Sequence, residues 1–516
     1  MNQPGEALSG LSLPPAAPAP APSGPVGCAR VKPIDRSQLT WQMLDVERLI
    51  DAEHPARAIW AVVGRLELDR FYAAIEATAG TAGCPAWDPR LLISLWIYAY
   101  SRGISSAREI ARRCRYEPAF QWLCGLGEIN HHTLSDFRVA QAEGLQHLFA
   151  QVLGVLSAEG LVTLERVMQD GTKIKALAST SSFCQQARLA EHLAAARQQV
   201  AAMGDPRGEE TPRQRAAQAR AQRERQQRLE AAQQQLTELQ QAKPAAAETL
   251  RVSRTDPEAR VMKQPGGGFA PAYNVQLSTD AAQKIIVGAS VSQSGNDYGE
   301  LLPAMAQLEQ TFQRQPTQVV ADGGFTCRSN IMGMATAGMD FYGSLGKPNP
   351  ESAGQLAQRG ISPEFYPSAF PYDPATNTCQ CPAGKGLRPS GQKSRPETVE
   401  HSYRAEATDC ARCPFEAQCC GQQRGKGRLV VRVEERPEVS AFRQKMKTDA
   451  AAQIYRQRSA VAEFPNAWIK AKLGLRQFRL RGLVKVGLEV LWACLTYNLQ
   501  QWIRLSRSPK LDPNAA

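Results

Sequence analysis

Two stretches of the sequence decide the fold: LERVMQDGTKIK at residues 164–175 and VVADGGF at residues 319–325. The first has the composition and patterning of a β-strand, and the pair Asp170-Gly171 within it indicates a turn or a bulge. The second is a short apolar strand that ends in Asp322, after which two glycines turn the chain towards a helix. Both stretches therefore predict strands that carry an aspartate.

A third acidic residue, Glu463, follows the helical run YRQRSAVA at residues 455–462. Acids at strand ends and on an adjacent helix can converge at one end of a sheet. Such a cluster binds hard cations, and Mg²⁺ keeps several waters and takes a substrate phosphate as a further ligand. Taken singly each acid has an ordinary explanation, because Asp-Gly is common in turns and an isolated glutamate on a helix is usually solvated.

The order and local sequence of these segments resemble the DDE-type insertion-sequence transposases of bacteria. DGTKI, which begins at Asp170, resembles the first-aspartate strand of that family, and VADGGF around Asp322 resembles its second-aspartate strand and turn. Together with the N-terminal helices, the resemblance covers roughly residues 35 to 505. Within the middle region we expect Asp256 and Asp297 to be structural or peripheral, and the alternative is that they support the metal ligands from behind. The matching middle segments are RTDPEA at 254–259, GF at 268–269, YNVQ at 273–276 and ND at 296–297.

The helical run resembles the family signature Tyr-x₂-Arg-x₃-Glu-x₆-Lys. Tyr455, Arg458, Glu463 and Lys470 take its positions, but four residues instead of three separate Arg458 from Glu463. The six residues between Glu463 and Lys470 keep the family spacing, so Glu463 is retained as the third acid. By this resemblance Lys470 would contact a DNA phosphate while Tyr455 and Arg458 steady the DNA ends. A structural role for these three residues has equal weight.

The resemblance implies an α/β ribonuclease-H-like catalytic core, a mixed sheet flanked by helices. Asp170, Asp322 and Glu463 would be catalytic and would hold two divalent ions, Mg²⁺ or Mn²⁺, with Asp170 bridging both. The implied activity is that of a DNA transposase, which hydrolyses the transposon ends and then transfers the freed 3′-hydroxyl into target DNA. The implied partner is double-stranded DNA, bound by a homodimer in the synaptic complex.

The chain is long and basic. Its 516 residues exceed one ordinary core, so two or more domains are expected. Its 61 Lys+Arg against 49 Asp+Glu give a net charge of +12, which favours a polyanionic partner such as DNA. The apolar run at 91–100 is too short to cross a bilayer, and the N-terminus lacks signal-peptide features. We therefore expect a cytoplasmic, nucleoid-associated protein without a membrane partner.

Shifts in composition divide the chain into segments. Pro and Ala dominate the first tail, which cannot bury enough apolar surface to become ordered. One insertion has apolar residues at the 4-3-4 spacing of a helical hairpin or short coiled coil, and a second is loop-like and rich in cysteine. The segments are a disordered tail at 1–33, an all-α N-terminal DNA-binding domain at 34–160, the transposase core at 161–505 with insertions at 185–248 and 350–428, and a second disordered tail at 506–516.

Two basic segments are candidates for DNA contact. Short helices around SSAREIARRCR at 105–115 suit a helix-turn-helix-like module, in which Arg108, Arg112 and Arg113 would bind DNA. A helical bundle with a solvated basic face is the alternative. The segment 470–485 carries six basic residues among apolar ones. It could line a DNA channel or form a solvated helix face packed on the core.

Six of the thirteen cysteines cluster between residues 379 and 420. A Cys-x-Cys followed by a Cys-x₂-Cys resembles a structural zinc ribbon, and a small loop-rich insertion needs such a clamp. Cys381, Cys410, Cys413 and Cys419 are the favoured Zn²⁺ ligands, because Cys-Pro-x-Gly at Cys381 is how related insertions begin. Spare thiols, or a site that no longer binds metal, remain open.

Two other functions share some of these sequence features. A catalytically inactive, transposase-derived DNA-binding regulator would use the same basic helices and zinc insertion, but it would not require the three acids. A tyrosine recombinase would need a nucleophilic tyrosine within an Arg…His-x-x-Arg constellation. Tyr455-x₂-Arg458 has no His-x-x-Arg near it, which excludes the recombinase.

Overall fold

The structure, a computed structural model, describes residues 36–37, 39, 43–77, 85–202, 211–346, 353–395 and 397–507. The tail predicted at 1–33 lies outside the described residues, as does the tail at 506–516 except for its first two residues. Met1–Asp45 and Val46–Ala516 are separate units. All elements described below belong to the second unit, a mixed α/β assembly.

Seven α-helices precede the first strand among the described residues. Proline opens α1, α3 and α5, since its fixed φ suits the first turn and its missing N–H is not needed there. Asp88 caps α3 by accepting the N–H of Arg90 at 2.8 Å, and α3 is buried on nearly all sides. The helices are α1 (Pro55–Val63), α2 (Asp69–Ala73), α3 (Pro89–Ser101), α4 (Ala107–Arg113), α5 (Pro118–Leu123), α6 (His131–Ala140) and α7 (Ala142–Ala158).

A two-helix hairpin follows the first long strand. Its helices bury Leu189, Leu193 and Ala196 against Leu229, Ala232 and Leu236, the apolar positions of the 4-3-4 spacing. A two-stranded ribbon closes its base. The elements are β1 (Arg166–Lys175), β2 (Phe183–Cys184), α8 (Gln186–Ala201), α9 (Pro212–Ala242) and β3 (Val252–Ser253).

The central sheet has six strands, with β1 in the middle. β1 pairs antiparallel with β5 and parallel with β7, which is itself parallel to β8. The pairing of β1 with β5 runs unbroken through Asp170 and Gly171, so the turn or bulge predicted at that pair is wrong. The remaining elements are β4 (Arg260–Lys263), β5 (Phe269–Asp280), β6 (Ile286–Ser292), α10 (Leu301–Phe312), β7 (Gln318–Ala321), α11 (Arg328–Thr336) and β8 (Asp340–Tyr342).

The cysteine-rich segment forms a five-stranded antiparallel sheet, so the loop-like structure predicted for it is wrong. Its small core contains Leu356, Phe365, Leu387 and Tyr403. Most strand residues here are polar, and the strand Gly386–Ser394 is exposed at every position except Leu387, so the sequence shows no alternating pattern. The elements are α12 (Ala353–Gln358), β9 (Tyr372–Asp373), β10 (Thr378–Gln380), β11 (Gly386–Ser394), β12 (Thr398–Arg404), α13 (Ala407–Ala411), α14 (Glu416–Cys420) and β13 (Leu429–Glu435).

The C-terminal helices connect this sheet to the rest of the unit. The last helix is buried on most sides and packs on α3, α7 and β6, with the Trp96 and Trp492 rings 6.3 Å apart. The N-terminal helices and the central sheet therefore share one hydrophobic core. Within the described ranges, no helix combines the length and apolar character that a membrane span requires. The helices are α15 (Pro437–Lys445), α16 (Asp449–Arg456), α17 (Phe464–Ala471) and α18 (Leu483–Arg507).

Candidate active site

Asp170 and Asp322 are neighbours at the carboxyl end of the β1–β7 pair. The last paired residues are Gln169 and Ala321, so each aspartate is the next residue along its strand. Adjacent strands lie about 4.8 Å apart, and the carboxyl ends of parallel strands are where ligands bind in open α/β sheets. Asp322 Oδ1 also accepts the N–H of Gly324 at 2.7 Å, which fixes the turn after β7.

The Asp170 carboxyl is costly to ionise in its surroundings. Its side chain is 16% exposed, and burial, reinforced by the charge of Asp322, raises its pKa to about 6. The Arg458 guanidinium and a hydrogen bond from Asn466 oppose this shift. A buried carboxylate beside a second carboxylate is stabilised by a nearby cation, so the electrostatics of this pair suit a bound metal ion.

Arg458 joins Asp170 to Glu463. Its Nη1 is 3.8 Å from Asp170 Oδ1, and its Nη2 is 3.5 Å from Glu463 Oε1. Glu463 is otherwise open to solvent, with 59% of its side chain exposed. The structure thus brings Asp322, Asp170 and Glu463 into one neighbourhood, with the positive charge of Arg458 between the last two.

A π-helical turn accounts for the extra residue before Glu463. Ser459–Glu463 form this turn between α16 and α17. Its hydrogen bonds span five residues instead of four, and such turns are frequent at functional sites. Arg458 and Glu463 are five positions apart and still contact each other. The departure from the family spacing is therefore a local bulge that keeps the acid facing the site.

Asn466 belongs to the site, although no motif in the sequence indicated it. It is 7% exposed, and its Nδ2 donates to Asp170 Oδ2 at 2.7 Å. It also donates to the carbonyl of Ala462 at 3.3 Å. Its position three residues after Glu463 could have identified it, because residues three apart share a helix face.

Two residues of the predicted signature lie close to the acids. Lys470 Nζ donates to Thr172 Oγ1, two positions beyond Asp170 on β1. Burial lowers the pKa of Lys470, and the charge of Asp170 opposes that shift. Tyr455 packs against the small apolar cluster behind Asp170, which contains Met168. The DNA contacts assigned to Tyr455, Arg458 and Lys470 stay predictions.

The two acids expected to be structural differ in their surroundings. Asp256 is fully buried and accepts hydrogen bonds from Tyr273 Oη at 2.7 Å and the N–H of Gly482 at 3.1 Å. That arrangement anchors the loop before α18. Asp297 instead lies beside the active-site turn, where the carboxylates of Asp297 and Asp322 are both close to Gly324.

The donor set suits a hard cation, although the side chains are not arranged around one. Carboxylate oxygens are the ligands that Mg²⁺ takes. In the part of the chain that the structure describes, no three His, Cys, Asp or Glu side chains have the geometry of a metal site. Arg458 stands between Asp170 and Glu463, so a divalent ion bound to both acids requires this guanidinium to move aside.

Five clustered cysteines lie around one cavity, and the sixth lies apart from it. Cys379 is buried in β10, in the core of the small sheet. The backbone N–H of Lys385 donates to Cys381 Sγ at 3.2 Å, and that of Arg428 donates to Cys410 Sγ at 3.4 Å. The cysteines around the cavity are Cys381, Cys410, Cys413, Cys419 and Cys420.

The basic face of α4 is largely engaged in ion pairs. Arg112 pairs with Glu109 at 2.8 Å, and Arg113 pairs with Glu109 at 2.8 Å and Glu117 at 2.6 Å. Arg108 is exposed beside the start of α6. Three arginines are predicted to bind DNA. Arg112 and Arg113 take part in these ion pairs with glutamates, and Arg108 does not.

Comparison with known proteins identifies domains in both halves of the chain. A family model described as "Transposase DDE domain" matches residues 380–503, and one described as "Transposase domain (DUF772)" matches residues 44–140. Both agree with a DDE-type insertion-sequence transposase. The first match includes Glu463 and five of the six clustered cysteines, but neither Asp170 nor Asp322. The second match includes the arginines of α4.

One solved structure similar to this chain is titled as a cryo-EM structure of the piggyBac transposase synaptic complex with hairpin DNA. It is 8% identical, the alignment covers 89% of this chain and 86% of that chain, and the TM-score is 0.26. A similarity this low carries no argument about fold or function. No curated protein matches the chain.

Proposed function

We propose that this transposase hydrolyses DNA at the ends of its element and joins the freed 3′-hydroxyl to target DNA. Asp170, Asp322 and Glu463 are its catalytic acids, and they hold two Mg²⁺ or Mn²⁺ ions. The observation that carries the proposal is the adjacency of Asp170 and Asp322 where the parallel pairing of β1 and β7 ends. The sheet, antiparallel on one side of β1 and parallel on the other, supports a ribonuclease-H-like core.

The residues around the acids would prepare them for this reaction. Bound cations would lower the pKa of the attacking hydroxyl and stabilise the leaving oxygen. Asn466 holds one oxygen of Asp170 through its hydrogen bond, which leaves the other oxygen directed at Arg458. Lys470 places an ammonium group beside β1, and a point charge there can hold a DNA phosphate in position.

A cleavage assay tests the proposal. Labelled double-stranded DNA carrying the element's ends is incubated with the protein and Mg²⁺, or with a chelator, and the same is done with Asp322→Asn. Asp136→Asn, which changes an exposed aspartate on α6, is the matched control. We expect metal-dependent nicking at the ends that Asp322→Asn loses and Asp136→Asn keeps. DNA binding without cleavage in all three proteins would favour the inactive regulator instead.

We also propose that Cys381, Cys410, Cys413 and Cys419 bind a structural Zn²⁺. Their position around one cavity supports this, because thiolates are preferred zinc ligands. Elemental analysis of protein purified without chelator should find about one zinc per chain. Cys413→Ser should lose it, and Cys327→Ser, outside the cluster, should keep it. A wild-type protein without zinc would contradict the proposal.

The remaining expectations concern assembly and location. We propose that a homodimer brings the two DNA ends together and that the protein acts on the nucleoid in the cytoplasm. The net charge of +12 supports association with DNA. Light scattering on the complex with DNA ends measures the stoichiometry, and a mass of one protomer on two ends would exclude the homodimer.

A further inference from the structure

Asp297 lies against the active-site strands at places where only glycine leaves room. A Cβ added at Gly171 would clash with Asp297 Oδ1. A Cβ added at Gly324 would lie 3.0 Å from Asp322 Oδ1 and 3.4 Å from Asp297 Oδ2. Both carboxylates therefore lie next to Gly324, and Asp322 Oδ1 and Asp297 Oδ2 are no more than 6.4 Å apart, the sum of those two distances.

Amide groups hold Asp297 by one oxygen. Its Oδ1 accepts a hydrogen bond from Asn274 Nδ2 at 2.7 Å and another from Gln276 Nε2 at 2.8 Å. Gln276 is oriented in turn by Gln169, whose Nε2 donates to Gln276 Oε1 at 3.0 Å. This buried network keeps Asp297 in one orientation.

The other oxygen of Asp297, Oδ2, accepts no hydrogen bond from the described residues. The same is true of two buried amide oxygens nearby, those of Asn274 and Asn466. Asn274 is 1% exposed and Asn466 is 7% exposed, and the Oδ1 atom of each has no hydrogen-bond partner in the described part of the chain. Asn274 contacts Asp297, and Asn466 contacts Asp170. Buried polar atoms are nearly always satisfied, often by water. A water molecule can therefore donate a hydrogen bond to these oxygens, which belong to side chains that contact Asp297 and Asp170.

We propose that Asp297 is a fourth carboxylate of the cation site, which accepts through Oδ2 a hydrogen bond from a water molecule bound to the cation at Asp322. This inference rests on the proposed function, because it requires a cation at Asp322. A negative charge in this position strengthens the binding of the hydrated ion, and partners of this kind commonly change metal affinity by about 10–100-fold. Asp297 is thus a positioning residue.

A direct measurement of Mn²⁺ binding tests this without relying on cleavage. Electron paramagnetic resonance counts free Mn²⁺ during a titration, and Mn²⁺ prefers oxygen ligands over the clustered thiolates. The proteins are wild type, Asp322→Asn, Asp297→Asn and Glu300→Gln. The substitution Glu300→Gln removes the same charge from the same loop. The Glu300 carboxylate accepts a hydrogen bond from Ser292 Oγ at 2.5 Å.

We expect Asp297→Asn to weaken the Asp322-dependent Mn²⁺ site by about 10-fold or more, while Glu300→Gln leaves it unchanged. Asp297→Glu, which keeps the charge, should lie closer to wild type. Thermal melting confirms that each variant is folded. Wild-type affinity in Asp297→Asn, or equal losses in Asp297→Asn and Asp297→Glu, would overturn the inference alone. Mn²⁺ binding that does not depend on Asp322 would overturn the proposed function as well.

Discussion

The two halves of the candidate active site are held in different ways. On the strand side, Asp170 is 16% exposed and Asp322 is fixed by the N–H of Gly324. On the helix side, Glu463 is 59% exposed, follows a π-helical turn and contacts Arg458 at 3.5 Å. Backbone pairing thus fixes the strand half, whereas side-chain contacts that can rearrange hold the helix half. We expect the strand half to tolerate little change and the helix half to tolerate more.

Gly171→Ala should lower the cleavage rate more than any other substitution that leaves the three acids unchanged, because it acts on the strand half. The added methyl group would clash with Asp297 and lie 2.9 Å from Gln276 Nε2. Overpacking of this kind costs about 1–3 kcal/mol, and a shift of the acids by about 1 Å can lower the cleavage rate by about 100-fold. Single-turnover cleavage measures the loss.

Gly295→Ala is the matched control for this substitution. It lies in the same segment as Asp297, and an added Cβ there meets nothing within 4 Å. Its cleavage rate should equal that of wild type. Equal rates for Gly171→Ala and wild type would show that the strand half is as adaptable as the helix half.

Asp170→Asn should stabilise the metal-free protein. The pKa of Asp170 is raised from 3.8 to about 6 in the folded state, so ionised Asp170 destabilises the fold above pH 6. That cost shrinks as the pH falls from 6 towards 4 and vanishes when both states are protonated. A difference of about 2 pKa units corresponds to roughly 2–3 kcal/mol at neutral pH.

Melting temperatures in chelator at pH 8 and at pH 4 measure this effect. Asp170→Asn should melt above wild type at pH 8 and level with it at pH 4, and excess Mg²⁺ should reverse the order at pH 8. Asp136→Asn should show no such dependence. A lower melting temperature for Asp170→Asn in chelator at pH 8 would mean that Arg458 and Asn466 offset the burial of the carboxylate.

Lys470→Gln should have a smaller effect, on DNA binding. Loss of one phosphate contact weakens binding about equally for all sequences and lowers the slope of log affinity against log salt by about 1. Lys243→Gln changes an exposed lysine at the end of α9, outside both basic segments, and is the control. Identical salt slopes for Lys470→Gln and wild type would leave Lys470 a structural partner of Thr172.

Deletion of Ala460 should change the cleavage rate least, because it acts on the helix half. Removing one residue from the π-helical turn allows a regular helix, in which Arg458 and Glu463 are four positions apart and share a face. Cleavage should remain within about 3-fold of wild type, since the contact is retained. Deletion of Ala467 from the regular helix α17 rotates the following residues by about 100° and should abolish cleavage. Similar losses in both deletions would contradict an adaptable helix half.

The sequence predicted those parts of the site that depend on local patterns. An apolar run ending in an acid predicted β7 and Asp322, and the structure has Gln318–Ala321 as the strand. Helical spacing predicted the buried positions of the hairpin. Strand alternation and helical periodicity are visible within ten or so residues, which is why these features could be found without the fold.

The features that were missed depend on contacts between distant segments. The glycine after Asp170 suggested a turn, but it is needed because Asp297 lies against β1. The basic segment 470–485 was considered as a helix face, whereas Arg476 and Phe478 exchange backbone hydrogen bonds with Lys175 at the end of β1. No pattern within either segment reveals a partner so far away along the chain.

The contact between Trp96 and Trp492 has a consequence for how such proteins diverge. Trp96 lies on α3, near the beginning of the chain, and Trp492 lies on α18, near its end. Recombination that replaced only the N-terminal helices would leave the indole of Trp492 facing a surface that did not evolve with it. Exchange of the N-terminal helices alone should therefore destabilise the fold, because both tryptophans are buried where α3 and α18 meet.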